Sequence, residues 1–318
     1  MGIAKRSAGA TSNGLAWRPS GQIRFLTIRE NIMRGFIALL LLASSLSWAT
    51  LAQANTGVAF VHGTGAPTDA LNDYWGSGFV NSVRQGLPNQ ANFVVIECDF
   101  EQYMWDAGAA GCLAGQLTTF INQRNITDMV ILTHSNGGNV VRWIMSNPTW
   151  DSRYPAIINA TRWTNAMAPS SLGTPLATAV IEGNAFESSL GWLLGFKNDA
   201  VRMQQPSWMA SFNANWLYGT SGRPALPKGF WNIVGTDVRS AIWSNNAYCG
   251  GYAESVGLEI TQNWLNSCSD GFLECSSQEG AGSTWFRDTQ RTSRSRVLNH
   301  NQSRKQCFGL DTILRDDI

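Results

Sequence analysis

The sequence predicts an α/β protein: a mainly parallel central sheet covered by helices on both faces, with a probable helical cap. Three observations predict it. Short continuous apolar runs recur along the chain, segments with helix-compatible spacing alternate with them, and Gly- and Pro-containing turns separate the two. Runs of that kind suit strands buried on both faces, and alternation with helices favours parallel pairing.

Taken in order, Gly57 to His62 (G-V-A-F-V-H) is the first strand candidate and runs into Gly63-Thr64-Gly65. Asn72 to Gln85 has apolar residues at roughly helical spacing, Phe93 to Ile96 reads as a strand, and Ala114 to Asn122 as a helix. Val130, Ile131 and Leu132 form the next buried run. After the turn Thr133-His134-Ser135-Asn136-Gly137-Gly138, Asn139 to Met145 reads as a helix that Asn147-Pro148 stops. Thr161 to Met167 and Phe230 to Val234 are further strands. Between them, from about Ser171 to Pro227, the rhythm changes. The segment is rich in Trp and Leu, including Leu190, Trp192, Leu193, Leu194, Phe196, Trp208 and Trp216. It reads equally as an inserted cap over one edge of the sheet or as ordinary helices packed on the core. From Gly235 onward the chain reads as loop-rich and holds four of the six cysteines.

Composition bounds the function. The 318 residues carry a net charge of +1, and only 14% are charged, against about 25% in an ordinary domain. No basic block or basic patch interleaved with aromatics offers a surface to nucleic acid. Near the N-terminus, Met33-Arg34-Gly35, an apolar run from Phe36 to Leu51 and Ala52-Gln53-Ala54 form a positive start, an apolar core and a small-x-small cleavage site. That pattern predicts a secretory signal. The apolar core is shorter than the ~20 residues of a membrane span, although an uncleaved anchor is the alternative. Residues 1–54 are thus expected to be an extension plus signal, with Met33 as the natural start, and 55–318 a single domain. Their removal takes away six basic residues and one acid, moving the net charge from +1 to −4. All six cysteines follow the signal, and an even count in an exported chain favours disulfides over metal ligands. Cys98 and Cys112, close in sequence and flanking one loop, are expected to pair.

The turn at 133–138 organises the chemistry. A serine held between a buried strand and a helix is exposed at the top of a sheet, beside the positive end of that helix. The usual pattern is G-x-S-x-G, and Thr133 here replaces the first glycine. Acyl transfer by serine also needs a base, an acid to orient it and donors for the oxyanion. The chain has three histidines. His134 adjoins Ser135 in the same turn, and its side chain is expected to point away from the serine. His62 ends a strand, where a backbone role is expected. His300 remains as the base. Two acids lie between Ser135 and His300 in suitable settings: Asp270, favoured because Cys268 and Cys275 bracket its loop, and Asp237, which follows a strand in I-V-G-T-D. The backbone N–H groups of Thr64 and Asn136 are the oxyanion candidates, with glycines around Thr64 that allow close approach.

These motifs together resemble the secreted α/β-hydrolase lipases and esterases, bacterial extracellular lipases in particular. The resemblance runs from V-H-G-T-G at 61–65 through T-H-S-N-G-G at 133–138 to Ser269-Asp270-Gly271, followed by Cys275-Ser276-Ser277, and Asn299-His300. Pairing an X-G-T-G loop with T-x-S-x-G-G also resembles certain fungal lipases. The resemblance implies an α/β-hydrolase fold and a serine carboxylic-ester hydrolase with Ser135, Asp270 and His300 as catalytic residues. It implies hydrophobic esters or acylglycerols as substrates, transient contact with lipid interfaces and no cofactor. A polyester depolymerase with the same machinery, or a non-catalytic binding protein on this fold, are the alternatives. The Trp- and Leu-rich 184–218 segment would supply an apolar acyl pocket. Many bacterial relatives hold calcium through an aspartate just after the histidine; Asn301-Gln302 stands there, so no metal site is expected. The resemblance also implies a Cys249–Cys275 bridge, which leaves Cys268 to pair with Cys307. The exported protein should begin at Asn55; N-terminal sequencing of secreted material that finds Met1 or Met33 instead would refute the cleavage.

Overall fold

In the computed structural model, residues 54–183, 197–238, 252–288 and 297–318 are described; the segment expected to be a signal and Leu190 to Phe196 lie outside them. Residues from Ala54 to Ile318 form one compact unit. Its centre is a six-stranded sheet in the order β2-β1-β3-β4-β5-β6, and every neighbouring pair is parallel. The strands are β1 (Thr56–Val61), β2 (Phe93–Val95), β3 (Asp128–His134), β4 (Thr161–Met167), β5 (Gly229–Val234) and β6 (Ser283–Arg287).

Alternation along the strands explains the continuous apolar runs. Ala59, Val61, Met129 and Ile131 face one core, while Val58, Phe60, Val130 and Leu132 face the other. A strand that buries both faces has no polar side to show, so its sequence does not alternate. On the second face lie Phe79, Val80 and Val83 of α1 (Ser77–Arg84), together with Leu310 and Leu314 of a C-terminal helix. The first face is covered by α2 (Cys112–Arg124), α3 (Gly137–Ser146) and α4 (Tyr154–Ala160). The segment expected as one helix over 72–85 is split. A π-helical turn at Ala70–Trp75 ends at Gly76, whose φ of 81° needs glycine, and α1 begins after it.

The described part of the β4–β5 connection holds α5 (Pro175–Ile181), α6 (Asp199–Met203) and α7 (Pro206–Asn215). Its described residues pack in two ways: Met203, Met209 and Leu217 are core residues, while Val201 and Gln204 border the cavity described below. Trp208 and Trp216 do not border it; they are 43% and 49% exposed and join an outer aromatic strip with Tyr103, Trp105 and Trp143. An acyl pocket built from those two tryptophans is therefore not what they form.

The stretch after Gly235 is more ordered than its sequence implies. It contains α8 (Tyr252–Gln262), α9 (Cys275–Gln278), β6 and α10 (Leu310–Arg315). β6 is an edge strand that fully buries only Phe286, so it lacks the apolar run that marks the inner strands. Cys98 pairs with Cys112 as expected. Cys268 pairs with Cys275, which corrects the Cys249–Cys275 and Cys268–Cys307 expectation. The reason is local: a Ser269–Glu274 bridge folds the acid loop into a hairpin and brings the two Cα atoms to 5.5 Å. Cys249 and the Cys307 side chain lie outside the described residues.

α3 packs tightly against the end of β1. A Cβ on Gly137 would stand 2.1 Å from the His62 carbonyl oxygen, a backbone atom that cannot step aside. Gly137→Ala should lower the unfolding free energy by about 1–3 kcal/mol, as overpacking does. Urea unfolding of the variant beside the parent checks this; equal stability would mean that the helix shifts freely.

Candidate active site

Ser135 stands between β3 and α3 with φ of 53°, the left-handed region that a residue with a side chain rarely occupies. Holding it there costs on the order of 1–3 kcal/mol, and the surroundings enforce it. Its N–H donates to the Met167 carbonyl at the end of β4 (2.9 Å), and its carbonyl accepts from Gly138 N–H (3.1 Å). Gly63 presses from the other side: a Cβ there would lie 2.9 Å from Ser135 Cβ. Thr133, which stands where the usual pattern has its first glycine, is fully buried near the end of β3.

The acid and the histidine are joined directly. His300 Nδ1 lies 2.8 Å from Asp270 Oδ2, and His300 N–H donates to the Asp270 carbonyl (3.0 Å). A carboxylate accepts, so Nδ1 carries the proton and neutral His300 keeps its Nε2 lone pair free. Asp270 is fully buried, and its other oxygen accepts from Phe272 N–H (2.9 Å) and Leu273 N–H (2.7 Å). The hairpin that aims it is closed by the Cys268–Cys275 disulfide and turns at Gly271, φ 90°. Phe272 stacks on the His300 ring with centroids 4.7 Å apart. Asp237 is engaged elsewhere, accepting from Val238 N–H (2.7 Å) and Gln262 Nε2 (3.0 Å).

Ser135 and His300 border one cavity of about 220 Å³, together with Thr64, His134, Gln204, Leu258 and Phe272. Thr64 Oγ1 accepts from Gln204 Nε2 (3.1 Å), and Gly65 O accepts from Phe100 N–H (2.9 Å), which fixes the loop after β1. Asn136 is fully buried and precedes the first turn of α3. Among the described residues, neither the Thr64 nor the Asn136 backbone N–H has a protein acceptor. Such donors at a helix start suit a developing negative charge. No group of three or more His, Cys, Asp or Glu side chains that could hold a metal ion occurs among the described residues.

Sequence reasoning missed the part played by Tyr74 and the side-chain bonds of the other two histidines. His134 borders the same cavity, and its ring packs on His300 with centroids 4.6 Å apart. Its Nε2 donates to the His300 carbonyl (2.9 Å), because a carbonyl can only accept; Nδ1 then accepts from the Tyr74 hydroxyl (2.5 Å). Tyr74 Oη in turn accepts from Gly63 N–H (2.8 Å). One chain of hydrogen bonds thus connects the loop of Thr64, the serine turn and the backbone of His300. Burial holds His134 well below the usual imidazole range, with the nearby His300, Arg304 and Lys305 acting the same way. His62 acts through its side chain rather than its backbone. Nδ1 donates to Gly63 O (2.7 Å), Nε2 accepts from Cys98 N–H (3.3 Å), and burial pushes its pKa down to about 4.

Comparison with known proteins fits this geometry. No protein-family model matches the chain, and no curated protein sequence matches it significantly. Among solved structures, the mature form of Bacillus licheniformis lipase BlEst2 is similar, with TM-score 0.59 and 18% identity, covering 83% of this chain and 93% of that one. Lipase 1 from Pelosinus fermentans is similar too, with TM-score 0.52 and 13% identity over 82% of this chain and 99% of that one. The architecture shared with these bacterial lipases is the α/β-hydrolase fold, and it is the fold of this chain.

The buried histidines make stability depend on pH. His62 stays neutral in the folded state, whereas in the unfolded chain it binds a proton near pH 6.5. The unfolded state therefore binds more protons as pH falls, and stability is lost below about 6.5 until the folded pKa near 4 is reached. Between pH 7 and 5 His62 should contribute a loss of about 2 kcal/mol. Urea unfolding at the two pH values measures it, and in His62→Gln the pH-dependent difference should shrink by that share. An undiminished difference would show that other groups carry it.

Proposed function

We infer that the protein is a secreted serine carboxylic-ester hydrolase, a lipase or esterase acting on hydrophobic esters or acylglycerols. The observation that carries this reading is the Asp270–His300 pair, 2.8 Å apart, bordering one cavity with a serine held in the left-handed turn before a helix. Ser135 Oγ attacks the ester carbonyl while His300 Nε2 takes its proton. Asp270 keeps the histidine in the tautomer with Nδ1 protonated and stabilises the imidazolium that forms. The unpaired N–H groups of Thr64 and Asn136 receive the oxyanion, in a site where such donors need no reorganisation. Collapse of the tetrahedral intermediate releases the alcohol with the proton from His300. Water, activated by the same base, then frees the acid and restores the serine.

Apolar Val201, Leu258 and Phe272 on the cavity wall support a hydrophobic substrate. The fold shared with two bacterial lipases supports the reaction class. Export is supported by the N-terminal pattern and by the Cys98–Cys112 and Cys268–Cys275 disulfides, which persist in oxidising compartments. Among the described residues, no helix is long and apolar enough to cross a membrane.

The test is a pair of aspartate variants assayed on a series of nitrophenyl esters. Asp270→Asn should remain folded by near-UV circular dichroism but lose kcat by up to ~10⁴-fold, because the imidazole loses its orienting carboxylate. Asp237→Asn should lose less than about tenfold by the same reasoning. A dead Asp237→Asn beside an active Asp270→Asn would reverse the assignment. A parent protein whose Ser135 fails to react with a fluorophosphonate would remove the catalytic reading altogether.

A further inference from the structure

We propose that Arg304 makes this cavity selective for esters that carry a negative charge, a carboxylate or a phosphate, on the part of the substrate lying against the histidine loop. The proposal rests on the ester-hydrolase reading of the same site and names the substrate class within it.

Arg304 closes a short 3₁₀ turn, Gln302–Arg304, four residues after His300, and its side chain borders the cavity. Its guanidinium lies over the Tyr74 ring, 4.4 Å from the centroid. One Nη donates to the Tyr74 carbonyl and the other to Asn301 Oδ1 (3.2 Å). Both acceptors are neutral, and among the described residues no carboxylate forms a salt bridge with it. Glu254 at the start of α8 forms no salt bridge with it and acts on it only through its opposite charge. A guanidinium offers five N–H donors in a planar fork. Two are used, and the group remains open to a bidentate anion.

Arg142 provides the contrast within the same molecule. It too is buried without a carboxylate, but its donors go to Asn139, Ser171, Asn213 and Tyr218. Protein oxygens take up both of its Nη groups, leaving only Nε without a partner, and it does not border the cavity. Arg304 is enclosed enough that burial pulls its ionisation down, yet it faces the space where substrate would sit. Enclosing a cation without a partner is expensive unless something else supplies the opposite charge. Lys305 adds to the local positive field, since its Nζ donates to the same Tyr74 carbonyl (3.3 Å). Burial, then the neighbouring Arg304, lowers its pKa to about 8. Glu101 also borders the cavity, from the loop after β2. The cavity thus carries both signs of charge, and an anionic group is drawn to the histidine loop and away from Glu101.

The experiment compares kcat/KM for charged and neutral esters of matched acyl length, using the mature protein and its Arg304→Gln and Arg304→Lys variants. One pair is 4-nitrophenyl succinate against 4-nitrophenyl butyrate; the other is dihexanoyl phosphatidate against dihexanoylglycerol. In Arg304→Gln the charged-to-neutral ratio should fall about tenfold or more in at least one pair, mainly through KM, and Arg304→Lys should recover much of it. A fall in the first pair alone assigns a dicarboxylic half-ester, and in the second alone a phospholipid. If both ratios stay within about twofold of the parent while the individual rates drop together, Arg304 is only a clamp on Tyr74 and the proposal fails. A readout without turnover separates this from failure of the hydrolase reading. Monomethyl succinate and glycerol phosphate are titrated calorimetrically into the Ser135→Ala protein, with and without Arg304→Gln. Binding that Arg304→Gln removes supports the proposal even if no ester is cleaved; no binding of either anion to Ser135→Ala overturns it.

Discussion

The site depends on one steric constraint, the contact between the end of β1 and the turn from β3 into α3. Two segments far apart in sequence come so close that Gly63 and Gly137 admit no Cβ. That contact brings the loop holding Thr64 beside Ser135, and it confines Ser135 to a left-handed backbone. The strain is local and small beside the core on both faces of the sheet, which locks the parallel strands in register. A loose turn would let the serine relax, and the Thr64 loop would no longer be held beside it.

A second layer of order comes from neutral polar groups rather than ion pairs. Gly63, Tyr74, His134 and His300 form one continuous line of hydrogen bonds, each with a direction fixed by the chemistry of its acceptor. In a buried setting such a line keeps its geometry only while His134 stays uncharged. Burial ensures that, and it keeps His62 neutral as well. Arg304 borders the cavity, and Lys305 next to it donates to the same Tyr74 carbonyl.

The β4–β5 connection divides its work between two surfaces. Val201 and Gln204 reach the cavity, and Gln204 holds Thr64 by its hydroxyl. Trp208, Phe212 and Trp216 face outward and stack with Tyr103, Trp105 and Trp143 in a strip on the flank. Among the described residues, the segment's aromatic side chains therefore build a surface strip and pack on the core, while Val201 and Gln204 are its share of the cavity wall.

By itself the sequence determined the fold class, because strands buried on both faces must be apolar throughout, as Val58–Val61 and Met129–Leu132 are. It determined the serine turn too, since Ser135 followed by Gly137-Gly138 leaves few alternatives. The local Cys98–Cys112 pairing was legible for the same reason: its partners are close in the chain. What it left out depends on contacts between distant segments. β6 buries one large residue against a neighbour, so nothing in S-T-W-F-R marks it as a strand until β5 lies beside it. The Cys268–Cys275 bridge follows from a hairpin closed by backbone bonds, which cysteine spacing does not encode. Tyr74 and Arg304 carry no motif. They meet His134 and the cavity only because the π-helical turn after β1 and the 3₁₀ turn after His300, over two hundred residues apart, pack together. A sequence specifies each segment's own preferences, but hydrogen-bond partners and buried charges are decided by which segments the closed sheet brings within reach of one another.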